Sequence, residues 1–405
     1  MVNQRYLAGL CAEPGHGVVE AATICIRGSG ASMRVDKCTG CALPCSLPLM
    51  ASAVGPTSRL HDPRSLISLS RALGQLLVEA LRQATDRAEW SWHEILCAGL
   101  LEPYLVLEPQ EHGAFAVPLP LASLLSELTG LSVAHGFGLR DFAAGGQGAP
   151  VSGAPEWILF HCESEDRLVL HLGDIFWVHW LPRNGSWQQM RGAIIGPGLA
   201  WLAGLTLALT AGREPGDRSG HLAVQGRLIR DLLVRWQAHP ALLRRNTRGF
   251  SLSAFGLDWT QATVQLARQR GWHGLDVLCT AHHWLAQLVA EAVYRLIGDA
   301  RPTRVLVTGC GHRNGFLWQL LQERFPASTL ERSDAYGVPA ETAQAVRAAV
   351  LAGLLLDQVP ANVPQITGSS GPRLLGSWSP GSLSNWSRCL HWMTAGTDPL
   401  LWEER

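Results

Sequence analysis

Charge is scarce in this chain. Asp, Glu, Lys and Arg make up only 16% of 405 residues, and acids and bases balance at 33 each. A formal net charge of zero gives no bulk electrostatic pull toward nucleic acid or an acidic membrane surface, so neither is expected as a partner. Cysteine is also sparse: ten residues in this length cannot make a disulfide scaffold. No repeat of solenoid period is present. Met1–Leu10 has no long apolar core behind basic residues, so no secretory signal is expected. Nor is there an unbroken membrane-length apolar run. Ala193–Ala211 is uncharged and long enough to span a bilayer, but Gly196-Pro197-Gly198 interrupts it near its start. A buried strand, turn and helix is the expectation there, in a soluble cytoplasmic protein. What is abundant is apolar material, 47% of the chain, enough to fill the cores of two or three domains.

Cys38, Cys41 and Cys45 have metal-ligand spacing, C-x-x-C-x-x-x-C. A tetrahedral site needs a fourth ligand, and only His61 is near in sequence, so reduced loop thiols are the alternative, and no metal is expected. His273, His282 and His283 lack an acidic cluster at ligand spacing and read as helix-surface residues. Arg5–Arg27 reads as a hairpin, and Gly28–Asp62, rich in Gly, Pro, Ser and Cys, as an irregular excursion. Apolar spacing predicts a helix over Ser65–Asp86, an interrupted strand over Ile95–Leu107, a helix over Leu119–Thr129 stopped by Gly130, and a strand from Leu131. Trp157–His161, Arg167–Leu172 and Ile175–Leu181 read as three successive strands. Helices follow from Leu199 and over Leu222–Trp236, Trp259–Gln269 and Val277–Ile297. Val305–Thr308 is a buried strand before a helix over Gly315–Arg324. Ala340–Leu356 is nearly apolar all round, which places it between layers.

Two glycine clusters stand out. Leu139–Pro150 reads L-R-D-F-A-A-G-G-Q-G-A-P, where Gly145, Gly146 and Gly148 permit close backbone approach and Gln147 offers donors and an acceptor. A packing turn and a ligand cradle both fit. Gly309-Cys310-Gly311 ends a strand and opens a helix, which suits a nucleotide phosphate or a bare turn. Hairpins near the start of each half, with helices between strands, suggest an α/β actin-like layout: two domains with a cleft between them.

Five ordered stretches resemble the anhydro-N-acetylmuramic acid kinase family. Asp141–Pro150 is similar to its D-x-A-A-G-G-Q-G-A-P motif, though Gly136 and Gly138 stand where the family has Asp and Arg. Asp217, Gly220, Ala223 and Gly226 fit D-x-x-G-x-x-A-x-x-G. Thr280-Ala281 sits where the family opens a helix with Thr-Ala. Val307–Asn314 (VTGCGHRN) resembles V-S-G-G-G-A-R-N, and Asn362–Ser369 (NVPQITGS) resembles N-L-P-S-V-T-G-A. The resemblance implies a two-domain actin-like sugar kinase fold. Its domains are Met1–Val133 with Pro372–Arg405, and Ala134–Gly371. It also implies ATP-dependent phosphorylation of a 1,6-anhydro sugar, with ATP and Mg2+ where activity remains. Sugar contacts fall on Asp141, Gly146, Gln147, Gly148 and Gln344, and nucleotide contacts on Gly309, Gly311, Arg313 and Asn314. A homodimer stays open.

The departures fall on kinase chemistry. Gly9–Glu20 (GLCAEPGHGVVE) stands against G-L-M-S-G-T-S-M-D-G-V-D: Glu13-Pro14-Gly15 replaces Gly-Thr-Ser, and the magnesium-organising Asp is Gly17. Proline removes a backbone N–H that could hold phosphate. Glu20 keeps the second acid. The second phosphate hairpin, carrying Gly173, is His171–Trp177 (HLGDIFW), with Phe176 and Trp177 where Ala and Asn would leave space. In Ala193–Leu199 (AIIGPGL), which carries Gly196 and Gly198, Ile194 stands at the position of the general-base Asp. General-base assistance is typically worth ~10²–10⁴ in rate, and Ile cannot accept a proton. Asp174 is a substitute base or an ordinary hairpin Asp. Gln344 replaces a sugar-facing Glu. Three functions follow as hypotheses: a catalytically impaired relative with a binding or regulatory role, an active kinase, or another phosphotransfer or hydrolysis recruiting Asp174 or Glu13.

Overall fold

The computed structural model describes residues 4–13, 15, 17–45, 63–110, 113–243, 255–298, 300 and 302–395. Pro14, His16, His61 and the second half of the Gly28–Asp62 segment lie outside them.

The strands are β1 (Gln4–Glu13), β2 (Val18–Arg27), β3 (Arg34–Pro44), β4 (Ile95–Leu101), β5 (Tyr104–Gln110), β6 (Gly113–Pro118), β7 (Val133–His135), β8 (Arg167–Leu172), β9 (Ile175–Leu181), β10 (Arg191–Pro197), β11 (Arg304–Thr308), β12 (Thr329–Arg332) and β13 (Ser377–Ser379). The helices used below are α1 (Pro63–Ala88), α2 (Ala122–Thr129), α3 (Phe137–Ala143), α4 (Gly153–Phe160), α5 (Leu199–Leu209), α6 (Arg230–Gln237), α7 (Leu257–Arg270), α8 (Gly274–Ile297), α9 (Gly315–Arg324), α10 (Ala343–Leu356) and α11 (Leu383–Ala395).

One topology occurs twice. The first sheet runs β13-β7-β4-β1-β2-β3 and the second β10-β9-β8-β11-β12. Each begins as an antiparallel three-strand meander and then adds two parallel strands on the side of its first strand, the first sheet closing on the antiparallel β13. Two-residue connections such as Gly173-Asp174 make meanders cheap to close, whereas parallel addition requires a crossover. The α/β actin-like arrangement expected from the sequence is the one the chain adopts.

α10 lies between the sheets. All its side chains are buried except the half-buried Gln344. They share one core with Leu7 and Ile24 of the first sheet and Val169 and Leu306 of the second. The approach to the first sheet is at glycine distance: a Cβ on Gly9 would lie 1.8 Å from the Ala345 carbonyl oxygen, and one on Gly99 1.9 Å from that of Ala348. A second core holds Trp201, Trp236, Trp259 and Trp284, whose rings pack with centroids as close as 4.7 Å.

Several expectations need correction. Trp157–His161 is no strand; those residues end and follow the buried helix α4, where apolar residues on every side erase the periodicity. Leu222–Trp236 is not one helix but a 3-10 turn, Ala223–Gln225, then α6. The break is at Gly226, where a Cβ would sit 2.1 Å from the Leu275 carbonyl oxygen. Gly28–Asp62 contains the eleven-residue edge strand β3. Cys38, Cys41 and Cys45 on and after it do not converge: Cys38 bonds the Gly337 carbonyl, Cys41 bonds Gln83, and Cys45 is buried. Among the described residues, no helix is long and apolar enough to cross a membrane.

Candidate active site

The Gly-rich loop follows α3 and is held from within. Asp141 is fully buried. Its Oδ2 accepts from the Gly148 N–H at 2.9 Å, and its Oδ1 from the Thr367 hydroxyl at 2.7 Å. The Gln147 N–H donates to the Thr367 carbonyl. Gly146 gives Asp141 room, since a Cβ there would lie 2.1 Å from Oδ2. Two of the stretches singled out in the sequence, Asp141–Pro150 and Asn362–Ser369, are thus each other's hydrogen-bond partners. A second such knot joins two more. Asn314 caps α9 through Leu317 N–H, donates to the Asp217 carbonyl at 3.0 Å, and meets His282 Nε2 at 2.9 Å. Asp217 in turn accepts from the Leu222 and Ala223 N–H groups. His282 is therefore a buried core residue, not a helix-surface one, and burial lowers its pKa.

Where β1 and the β8–β9 hairpin meet, their tips bond directly. The Gly15 N–H donates to Asp174 Oδ2 at 2.7 Å, and Glu13 Oε1 lies 3.2 Å from His171 Nε2. The tips leave little space: Cβ atoms would fall 2.3 Å from Ala200 Cβ at Gly15, 2.3 Å from His171 Nε2 at Gly173, and 2.4 Å from the Gly173 carbonyl at Gly198. His171 continues inward to the Thr308 hydroxyl at 3.1 Å, which accepts from Arg347 Nη2 at 2.8 Å. Arg347 also donates through Nε to Glu156 at 2.5 Å and through Nη1 to Gln344 at 3.1 Å, with its guanidinium over the Trp177 ring. Burial pushes Glu156 up to about 7 despite the pull of Arg347. His179, fully buried with neither ring nitrogen hydrogen-bonded, is pushed down to about 3 by burial, then by Arg347 and His171. Glu20, also fully buried, accepts from the Ala345 N–H in the first turn of α10, an acid at a helix N-terminus.

Beside these tips lies a cavity of about 230 Å³. Glu13, Asp174, Ile194, Gly148 and Gln344 line it, together with Glu102, Tyr104, Phe137, Ser152, His171 and Trp177. Asp141, Gly146 and Gln147 are not among its lining residues. On the other side, a smaller cavity of about 80 Å³ is lined by Asp217, Arg218, Cys310, Arg313 and Glu341. Arg313 pairs there with Glu341 at 2.6 Å. Gly309 and Gly311 instead back onto Leu172, with Gly309 in the left-handed region at φ 83.

A family profile described as "Anhydro-N-acetylmuramic acid kinase" matches residues 48–381. The chain belongs to the anhydro-N-acetylmuramic acid kinase family. Curated relatives carrying that name include one from Xanthomonas campestris pv. campestris (strain 8004), 33% identical over 75% of this chain and 78% of its own length. Others come from Xanthomonas axonopodis pv. citri (36%, over 65% and 68%) and Synechococcus elongatus (33%, over 65% and 71%). A solved activator of the 2-hydroxyisocaproyl-CoA dehydratase from Clostridium difficile is 11% identical, with a TM-score of 0.42 over 86% of this chain and 94% of that one. A ROK family glucokinase from Streptomyces griseus is 13% identical, with a TM-score of 0.37 over 85% and 98%. The anhydro-N-acetylmuramic acid kinase profile begins after β3, so Glu13, Gly15 and Glu20 fall outside it.

The family implies ATP and Mg2+ where activity remains, and the described residues between the hairpin tips do not fit a triphosphate. Two carboxylates face that space, each repelling a phosphate charge ~4 Å away by on the order of 1–4 kcal/mol. The Gly15 N–H is directed at Asp174, and Arg347 is buried beneath Trp177 and engaged with Glu156. Among the described residues, no group of three or more His, Cys, Asp or Glu side chains is placed to hold a metal ion. Sequence reasoning missed Arg347, Glu156 and Thr308. The available signal was an Arg in the middle of an otherwise apolar helix.

Proposed function

We propose that this chain is a catalytically impaired member of the anhydro-N-acetylmuramic acid kinase family that keeps a ligand cavity without phosphoryl transfer. Its role is binding or regulation. The observation that carries this reading is the Gly15–Asp174 hydrogen bond, which joins the two hairpin tips where a kinase of this family would hold phosphate. Ile194 on the cavity wall adds to it, having no proton acceptor to activate water. The domain division at 133/134 and 371/372, a cytoplasmic location, and sugar and nucleotide as ligand classes belong to the same proposal.

Purified protein incubated with ATP, Mg2+ and the anhydro sugar tests it. No phosphorylated product is expected. Turnover near the ~1–100 s⁻¹ usual for kinases overturns the proposal. A second reading, an active kinase with Asp174 as base, draws on Asp174 and Ile194 lining one cavity. It requires turnover that disappears in Asp174→Asn.

A further inference from the structure

We propose that Arg347 holds Gln344 as a hydrogen-bond donor toward the 230 Å³ cavity, and that Gln344 thereby selects a neutral sugar carrying a carbonyl, such as an aldonolactone. This rests on the proposal above that the cavity is a ligand site, and it names the ligand class. Gln344 is the half-buried residue of α10, and it lines the cavity. Among the described residues it makes one hydrogen bond, in which its Oε1 accepts from Arg347 Nη1 at 3.1 Å. A guanidinium only donates, so the amide cannot be turned around without setting donor against donor. Arg347 is itself fixed. Its Nε and Nη2 donate to Glu156 and to Thr308, it is fully buried, and its guanidinium lies 4.8 Å from the centre of the Trp177 ring. The Gln344 carbonyl is thus engaged within the protein, and the NH2 group is what remains for a ligand.

This reverses the hydrogen-bond polarity of the position. The sugar-facing Glu that the family carries there accepts from a hydroxyl and repels an oxygen with no proton to give. Gln344 held by Arg347 donates instead. A carbonyl oxygen is satisfied by that donor outright, whereas a hydroxyl accepting from it must still place its own proton. A second observation is independent of Gln344. Ser152 lines the same cavity, is only 5% exposed, and its Oγ has no hydrogen-bond partner among the described residues. A buried hydroxyl without a partner carries a desolvation cost that a polar group of a ligand removes. The volume lies below the ~300–1,000 Å³ of drug-sized pockets, which fits a single sugar ring.

Calorimetric titration of the full chain tests the proposal, with freshly dissolved D-glucono-1,5-lactone in mildly acidic buffer against 1,5-anhydro-D-glucitol, the same ring without the carbonyl. The lactone is expected to bind about tenfold tighter, the worth of one hydrogen bond, and tighter than its hydrolysis product gluconate. Gln344→Met should abolish the lactone's advantage while leaving anhydroglucitol within about twofold, which also reports that the variant is folded. Arg347→Met combined with Glu156→Gln leaves no buried carboxylate unpaired. It should shrink the preference to about twofold because the Gln344 amide is then free to turn, whereas a merely structural role for Arg347 would weaken both rings alike and keep their ratio. Equal binding of the two rings, tighter binding of gluconate, or an unchanged ratio in either variant overturns the proposal. Binding of the anhydro sugar but of neither ring defeats the carbonyl assignment alone, and binding of none of them defeats the ligand-site reading with it. A lactone preference together with ATP-dependent turnover of the anhydro sugar upholds the assignment and defeats only the impaired-kinase reading.

Discussion

Replacing Glu156 by Gln should make the protein more stable at pH 8 and leave it unchanged near pH 4.5. Glu156 is fully buried against Arg347, and its carboxyl titrates at about 7 in the folded chain against 4.5 as the ordinary value. Burial is the larger influence and Arg347 the smaller. A raised acid pKa means the folded state holds the proton more firmly than the unfolded one. The group's contribution is therefore intact below about pH 4.5 and declines as pH rises through 7. The decline amounts to about 3 kcal/mol, from 1.36 kcal/mol per pH unit across that interval. Gln keeps an acceptor for Arg347 Nε and cannot ionise, so Glu156→Gln should retain the low-pH stability throughout. Urea unfolding of both proteins at pH 4.5, 6, 7 and 8, followed by tryptophan fluorescence, reads the difference directly, because all other titrations are common to both. A variant that is less stable than the parent at pH 8, or that shows the same pH slope, refutes the reasoning. It would mean that the ion pair outweighs desolvation at this position.

His179 should act in the opposite pH direction. Its pKa is depressed to about 3, so stability is complete above 6.5 and falls as pH drops; His179→Phe should recover about 3 kcal/mol at pH 4.5, read by the same unfolding series. Asn314→Ala removes the cap of α9 and the donor to Asp217 and His282, and should cost roughly 2–3 kcal/mol in chemical unfolding. Gly146→Ala drives a methyl into Asp141 Oδ2 and should cost about 1–3 kcal/mol, visible as a lowered Tm; an unchanged Tm would refute the role of Asp141 as the anchor of this loop.

The strands that sequence made legible are those with strong alternation or full burial between clear turns: β1 and β2, β8 and β9 around Gly173-Asp174, and β11 before Gly309. β3 was not legible because it is a half-exposed edge strand carrying Arg34, Asp36 and Lys37, the composition that edges use to discourage pairing. α4 was misread because six of its eight residues are buried, so a strand and a helix present the same apolar run. At the site, family spacing singled out Ile194, Asp174 and Gln344 one by one, and the structure brings them to one cavity. The chain of contacts from Glu13 through His171 and Thr308 to Arg347 did not. Those residues come from four separate elements, and no local pattern encodes their meeting.

The two hydrogen-bonded knots, Asp141 with Thr367 and Asn314 with Asp217 and His282, have an evolutionary consequence. The residues that make the family recognisable hold the architecture through bonds to one another, and Ile194 belongs to neither knot. Drift at Ile194 therefore meets little resistance from those knots, and a lineage can change its chemistry there while its ancestry stays readable.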